Sequence, residues 1–256
     1  MTPLDATVIV VAGFAAGGVN AVVGAGTLLT FPALLAIGIP PVTANVTSTL
    51  GLVPGSFAGA YGYRDQLGAM RRLLGQVAIP AVAGGLAGAG LLLVLPARTF
   101  ASVVPILLLV SAALVAVQPR LSRALTKKRA DAGADPAAPP HAGPALLCGV
   151  FAIAVYGGYF GAAQSVLQLA LFGVVLGGLQ VANGVKNVVT ALVNSTAAVL
   201  FALVAHPQWP VVGLLALSSA LGGTVGGRYG RNLPDGLLRA FVVLLAVAVA
   251  VKQMRT

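Results

Sequence analysis

Long apolar stretches alternate with short polar breaks along almost the whole chain. Runs at 6–37, 43–62, 73–95, 98–118, 145–178, 181–205, 208–227 and 236–252 carry few or no charges. A helix needs about 20 apolar residues to cross a hydrocarbon core of about 30 Å, and each run reaches or nears that length. The pattern predicts an all-α, polytopic helical membrane protein. The first run of each half is too long for one straight span, and glycines interrupt both. They are Gly17, Gly18, Gly24 and Gly26 in the first half, and Gly157, Gly158 and Gly161 in the second. Each run is expected to split, into 6–22 with 25–37 and 145–160 with 163–178. Broken apolar segments at corresponding places in two halves point to a midplane binding site in transporters. The competing reading is that the glycines only let helices pack closely, as small residues do in lipid.

The stretch 119–143 interrupts the apolar pattern with Arg120, Arg123, Lys127, Lys128 and Arg129, followed by an Ala/Pro/Asp-rich run to Pro144. That composition predicts a flexible aqueous linker. The chain therefore divides into a first transmembrane repeat over 1–118, a basic cytoplasmic linker over 119–143 and a second transmembrane repeat over 144–256. Loop charge orients the halves. Placing Arg64 to Arg72, the linker and Arg228 to Arg239 inside collects eleven of the fifteen basic residues in the cytoplasm, as the positive-inside rule requires. This works only if 6–37 and 145–178 each begin and end on one side of the membrane. The expected architecture is two inverted repeats, each a broken or re-entrant hairpin followed by three spanning helices. Trp209 and Tyr229 near span ends suit the interfacial aromatic belt, and Pro54, Pro80 and Pro105 fall inside spans.

Composition then removes function classes. The chain is 58% hydrophobic and 8% charged, with a mean hydropathy of +0.98, against about 25% charged in a soluble domain. The net charge of +10 is spread between apolar runs, so nucleic acid is not an expected partner; the lipid bilayer is. There is no glutamate, one cysteine (Cys148) and two separated histidines, His141 and His206. No metal cluster and no cofactor are expected. Ser48 and Ser165 have no intramembrane His, Asp or Glu to serve as base, so an enzyme is not expected. No phosphate-binding G-x-x-x-x-G-K-[ST] loop is present. Met1–Val22 lacks the basic start of a cleavable signal.

Polar residues inside lipid-spanning runs are costly and so informative. The candidate substrate-binding set is Asn20, Gly24, Gly26, Thr27, Asn45, Ser48 and Thr49 in the first half, with Tyr156, Gly161, Gln164, Asn183, Lys186 and Asn187 in the second. Tyr159, Ser165, Gln168, Thr190, Asn194, Ser195, Thr47 and Ser56 are further polar survivors. Aligning Ala44-Asn45 with Ala182-Asn183 pairs Ser48 with Lys186, Thr49 with Asn187 and Ser56 with Asn194. Lys186 has two readings: it snorkels to the headgroups, or it faces a cavity and attracts an anion, since no intramembrane carboxylate can pair with it. The breaks add N–H groups at the starts of their second pieces, at Gly24-Ala25-Gly26-Thr27 and Gly161-Ala162-Ala163-Gln164. Such helix starts attract anions.

These residues carry a family resemblance over nearly the whole chain outside the linker. Gly13-Phe14-Ala15-Ala16-Gly17 through Gly24-Ala25-Gly26, Pro32-Ala33-Leu34-Leu35, Gly38 and Ala44-Asn45-Val46-Thr47-Ser48-Thr49 resemble the first repeat of the sulfite exporter TauE/SafE family. Tyr156-Gly157-Gly158-Tyr159-Phe160-Gly161-Ala162, Asn183-Gly184-Val185-Lys186-Asn187 and Asn194 are similar to its second repeat. Ala25 and Thr27 depart from the family's glycine-rich first run. The resemblance implies a multi-pass protein of the cytoplasmic membrane that exports a small sulfur-containing anion, sulfite or an organosulfonate. With no ATP-binding loop and no intramembrane carboxylate, the membrane potential is the expected driving force. A proton-coupled transporter or a channel for another small organic or inorganic anion stays open as the alternative.

Overall fold

The computed structural model describes residues 1–131, 142–176, 179–229 and 235–254. Positions 132–141 of the expected linker, with Asp135 and His141, lie outside the described residues, as does Arg231. Among the described residues regular structure is helical, with no strand. The first half contains α1 (Pro3–Val22), α2 (Thr27–Ala36), α3 (Pro41–Tyr61), a single turn α4 (Arg64–Leu67), α5 (Arg71–Val94) and α6 (Ala97–Asp131). The second contains α7 (Pro144–Tyr159), α8 (Gln164–Val175), α9 (Leu179–Val204), α10 (Trp209–Tyr229) and α11 (Asp235–Met254). The basic segment after position 118 begins as a continuation of α6, through Pro119 to Asp131.

Local chemistry accounts for the element starts. The Thr2 side chain accepts from the Asp5 N–H, and the Asp5 carboxylate accepts from the Thr2 N–H. This reciprocal cap, with proline in the first helical turn, starts α1. Prolines also open α3 and α7. Pro54, Pro80 and Pro105 lie inside α3, α5 and α6, and the rings of Trp209 and Tyr229 are exposed.

Among the described residues, five helical stretches are long and apolar enough to cross a bilayer: Pro3–Val22, Arg64–Val94, Ala97–Arg120, Gln180–Val204 and Trp209–Tyr229. The chain is thus a multi-pass membrane protein. The run expected over 43–62 forms α3 but is not one of the five. Its Asn45, Thr47, Ser48, Thr49 and Ser56 lower its apolar character, and all five are buried within the protein.

Glycines set how the helices meet. Gly13 lies against Ser218, Gly17 against Ser219 and Gly223, and Gly226 against Gly18, so α1 and α10 run parallel. α3 shares that direction, with Gly51 on Leu215, Gly55 on Ser219 and Gly62 on Gly227. Gly84 on Ala154 and Gly88 on Tyr159 make α5 and α7 parallel to each other. α3 and α9 run oppositely, because Ser56 meets Asn194 while Gly59 meets Asn187. Helix neighbours repeat when the halves are exchanged: α1 packs on α10 as α7 packs on α5, α3 on α10 as α9 on α5, and α2 on α11 as α8 on α6. The Gly62–Gly227 contact also puts Arg64 and Arg228 at one end of the bundle.

The interrupting glycines divide between close packing and turning the chain, at different residues. Gly17, Gly18, Gly157 and Gly158 stay inside helices, and Gly17 and Gly158 press directly on neighbouring backbone. The chain turns at Gly24 (φ 82°) and Gly161 (φ 75°), left-handed conformations that glycine adopts at little cost. Gly26 is helical in conformation and lies at the start of α2.

Candidate functional site

The two breaks come together. A methyl group on Gly24 would sit 2.2 Å from the Ser165 Cβ, and one on Gly161 would lie 3.8 Å from the Thr27 hydroxyl. Among the described residues, the N–H groups of Ala25, Gly26 and Thr27, and those of Ala162, Ala163 and Ser165, have no hydrogen-bond acceptor. Two helix starts therefore bring free N–H groups to one place, with the positive ends of both helix dipoles.

Side chains from five helices knit around the breaks. Gln164 Nε2 donates to Asn194 Oδ1 at 2.9 Å, and Asn194 Nδ2 donates to Ser56 Oγ at 3.3 Å. Asn20 Nδ2 donates to the same Ser56 oxygen, so α1, α3, α8 and α9 share one network. Asn187 Nδ2 donates to the Ala21 carbonyl at the end of α1. Asn45 Nδ2 donates to the Tyr159 carbonyl at 3.0 Å, just before the second break. Ser48 pairs with Thr30 of α2, and Thr49 donates back to the Asn45 carbonyl of its own helix.

The second break is braced from α6. Ala163 adopts a left-handed conformation (φ 59°) despite its side chain, at a cost of about 1–2 kcal/mol. Tyr156 Oη donates to the Ala162 carbonyl at 2.6 Å, and Ser111 Oγ lies 3.2 Å from that oxygen and 2.8 Å from the Tyr156 hydroxyl. These contacts orient the strained peptide. Two turns along the same face of α6, Gln118 Nε2 reaches the Val23 carbonyl at the first break, at 3.5 Å. Tyr156→Phe removes the shorter of the two donors to Ala162 and is expected to destabilise the protein by about 1–2 kcal/mol. A lowered melting temperature in detergent checks this, and an unchanged one would mean the break holds its shape without the hydroxyl.

Lys186 decides the character of the site. It is 0% exposed, and its Nζ has no hydrogen-bond partner. It does not snorkel; the side-chain amine is held inside the protein on α9, one turn before Thr190. Asp65 is exposed, and Asp5 is bound up in the α1 cap, so neither acid lies beside it. Among the described residues, the other buried side-chain atoms without partners are Gln168 Nε2, Gln164 Oε1, Asn183 Oδ1, Asn45 Oδ1, Gln66 Oε1, Gln118 Oε1 and Ser195 Oγ. Among the described residues no group of His, Cys, Asp and Glu could hold a metal ion.

The structure thus brings Gly24, Thr27, Gly161 and Gln164 to the joined breaks, with Asn20, Asn45, Asn187 and Tyr156 bound to the backbone or side chains around them. Sequence reasoning missed Thr30, Ser111 and Gln118. Ser111 is an isolated hydroxyl in an apolar run, a signal that was present; Gln118 adjoins the basic segment and reads as its edge. Thr30 follows Thr27 by one helical turn.

Comparison with known proteins places these features in a family. The family model described as "Sulfite exporter TauE/SafE" matches residues 9–253. The Sinorhizobium protein named "Probable membrane transporter protein ORF9" is 27% identical, over 94% of this chain and 89% of its own. The Escherichia coli K12 "Probable membrane transporter protein YfcA" is 24% identical, over 98% of this chain and 90% of its own. A Haemophilus influenzae "Probable membrane transporter protein" is 24% identical, over 94% and 91% respectively. No solved structure gives a significant match.

Proposed function

Because this chain belongs to the sulfite exporter TauE/SafE family and is a membrane transporter, we propose that it exports a small sulfur-containing anion, sulfite or an organosulfonate, across the cytoplasmic membrane. The observation that carries the reading is the buried Lys186 amine without a partner. A charge so placed costs several kcal/mol unless something neutralises it, and a transported anion is the counter-charge that such a position suits. The joined starts of α2 and α8 add neutral donors for the same ligand.

The two halves act as inverted repeats that expose this site alternately to the two faces. Support comes from the opposite directions of α3 and α9 and from the exchange of helix partners between halves. The end that holds Arg64 and Arg228 is cytoplasmic under the positive-inside rule. Net outward movement of one negative charge from a negative interior gains about 2.3 kcal/mol per 100 mV, or roughly 40- to 50-fold in concentration. Labelled sulfite flux from proteoliposomes holding the full chain tests this. Efflux is expected to rise when the interior is made negative and to fall when the potential is reversed. Efflux that ignores the potential and follows a pH gradient would replace potential coupling by proton coupling.

A further inference from the structure

Corresponding positions in the two halves are filled differently, and the difference leaves two buried donors on one pair of helices. The alignment that sets Ser48 against Lys186 also sets Thr30 of α2 against Gln168 of α8. In the first half this pair is closed, because the Thr30 and Ser48 hydroxyls bond to each other. In the second half it is open: Gln168 Nε2 and Lys186 Nζ are both without partners, with Gln168 1% and Lys186 0% exposed.

As the Gln168 amide is placed, its oxygen end is taken and its nitrogen end is free. Thr190 Oγ1 donates to Gln168 Oε1 at 2.7 Å. A hydroxyl has one proton to give, so the 2.8 Å contact between Ser165 and Thr190 is donated by Ser165. The sequence Ser165 to Thr190 to Gln168 therefore ends on the amide oxygen and leaves Nε2 as an uncommitted donor. Lys186 lies one helical turn before Thr190 on the same face of α9. Asn183, a turn further back, leaves Oδ1 unpaired. Two donors, one of them an amine that a bound anion would hold protonated, with one acceptor nearby match an oxyanion that carries a proton better than a bare halide.

We propose that Gln168 and Lys186 form the single anion subsite of this chain, with Ser165 and Thr190 as positioning residues. The proposal rests on the reading of the protein as an anion transporter and adds three things to it: Gln168 as a ligand, one anion per chain, and a first half that contributes no equivalent subsite.

Titration of the purified full chain in detergent with sodium sulfite, methanesulfonate and acetate tests the subsite. Wild type is expected to bind one anion per chain, and the order among the three probes identifies the preferred oxyanion. Gln168→Leu is expected to weaken binding by about 10- to 100-fold, the value of a hydrogen bond to a charged group. Thr224→Val, at an exposed position of α10 outside the network, is expected to change it by less than about twofold. Should Gln168→Leu fail to fold, Gln168→Glu keeps the size and the acceptor for Thr190 while giving Lys186 an internal counter-charge, and it is expected to abolish binding. Wild-type affinity in either folded Gln168 variant, or two anions per chain, would overturn the subsite alone. Failure of wild type to bind any of the three would overturn the anion reading together with it.

Discussion

Lys186→Met is expected to cut anion flux by about 100-fold while making the protein more stable. Methionine fills about the same length of buried space without a charge. The insertion penalty of a lysine within a span is about 2.5–3.5 kcal/mol, and nothing in the described structure offsets it by pairing with Nζ. Removing it is expected to stabilise the ligand-free protein by about 2 kcal/mol. Removing a desolvated charge from its counter-ion costs about 2–5 kcal/mol of binding, so flux should fall by about 100-fold. The paired readout is a melting curve in detergent beside sulfite efflux from proteoliposomes. Folded variant protein with wild-type flux would take Lys186 out of the anion's path. A lowered melting temperature would mean that the ammonium is satisfied within the protein itself. Opposite signs of the two changes are what a functional charge held at the expense of stability produces.

Gly222→Leu is expected to prevent folding altogether. A methyl group at Gly222 would lie 1.9 Å from the Phe14 carbonyl oxygen, which belongs to the backbone of α1 and cannot rotate away. The same seam holds Gly17, whose methyl would meet the Ser219 carbonyl at 2.1 Å, and Gly226, whose methyl would meet that of Gly18 at 2.6 Å. Helices in lipid associate through such close backbone packing, since no hydrophobic gain drives them together. A leucine there forces α1 and α10 apart along several turns and is expected to cost more than about 3 kcal/mol. Gly213→Leu on the same helix meets nothing within 4 Å and should behave as wild type. Size-exclusion profiles of the two variants after membrane extraction separate these outcomes. A monodisperse Gly222→Leu protein would show that α1 and α10 are not in such close contact.

Much of the fold was readable because the relevant forces are local. The division of 6–37 into two pieces followed from its length and glycines, and α1 and α2 end and begin near the expected places. The same holds for 145–178, now α7 and α8. What the pattern could not assign was the role of each glycine. Gly17 and Gly24 look alike in sequence, yet one is pressed against α10 and the other turns the chain. The difference depends on which helix arrives from the other half. Ser111 and Gln118 were missed for the same reason: their partners are carbonyls at breaks far away in the chain.

Lys186 shows where the boundary falls. Its place within an apolar run, its lack of a nearby acid and its polar neighbours Asn183, Asn187 and Thr190 were all determined by sequence. So were the membrane character, the two broken segments and the family resemblance, because hydrophobicity and chain length act residue by residue along the chain. Whether the ammonium reached the headgroups or stayed inside was decided only by the tertiary structure, which closes packed helices around it and leaves Nζ without a partner. The meeting of the two breaks was decided there too. Both depend on contacts between halves more than a hundred residues apart, and the energy of such contacts comes from shape and hydrogen bonding across the packed interface.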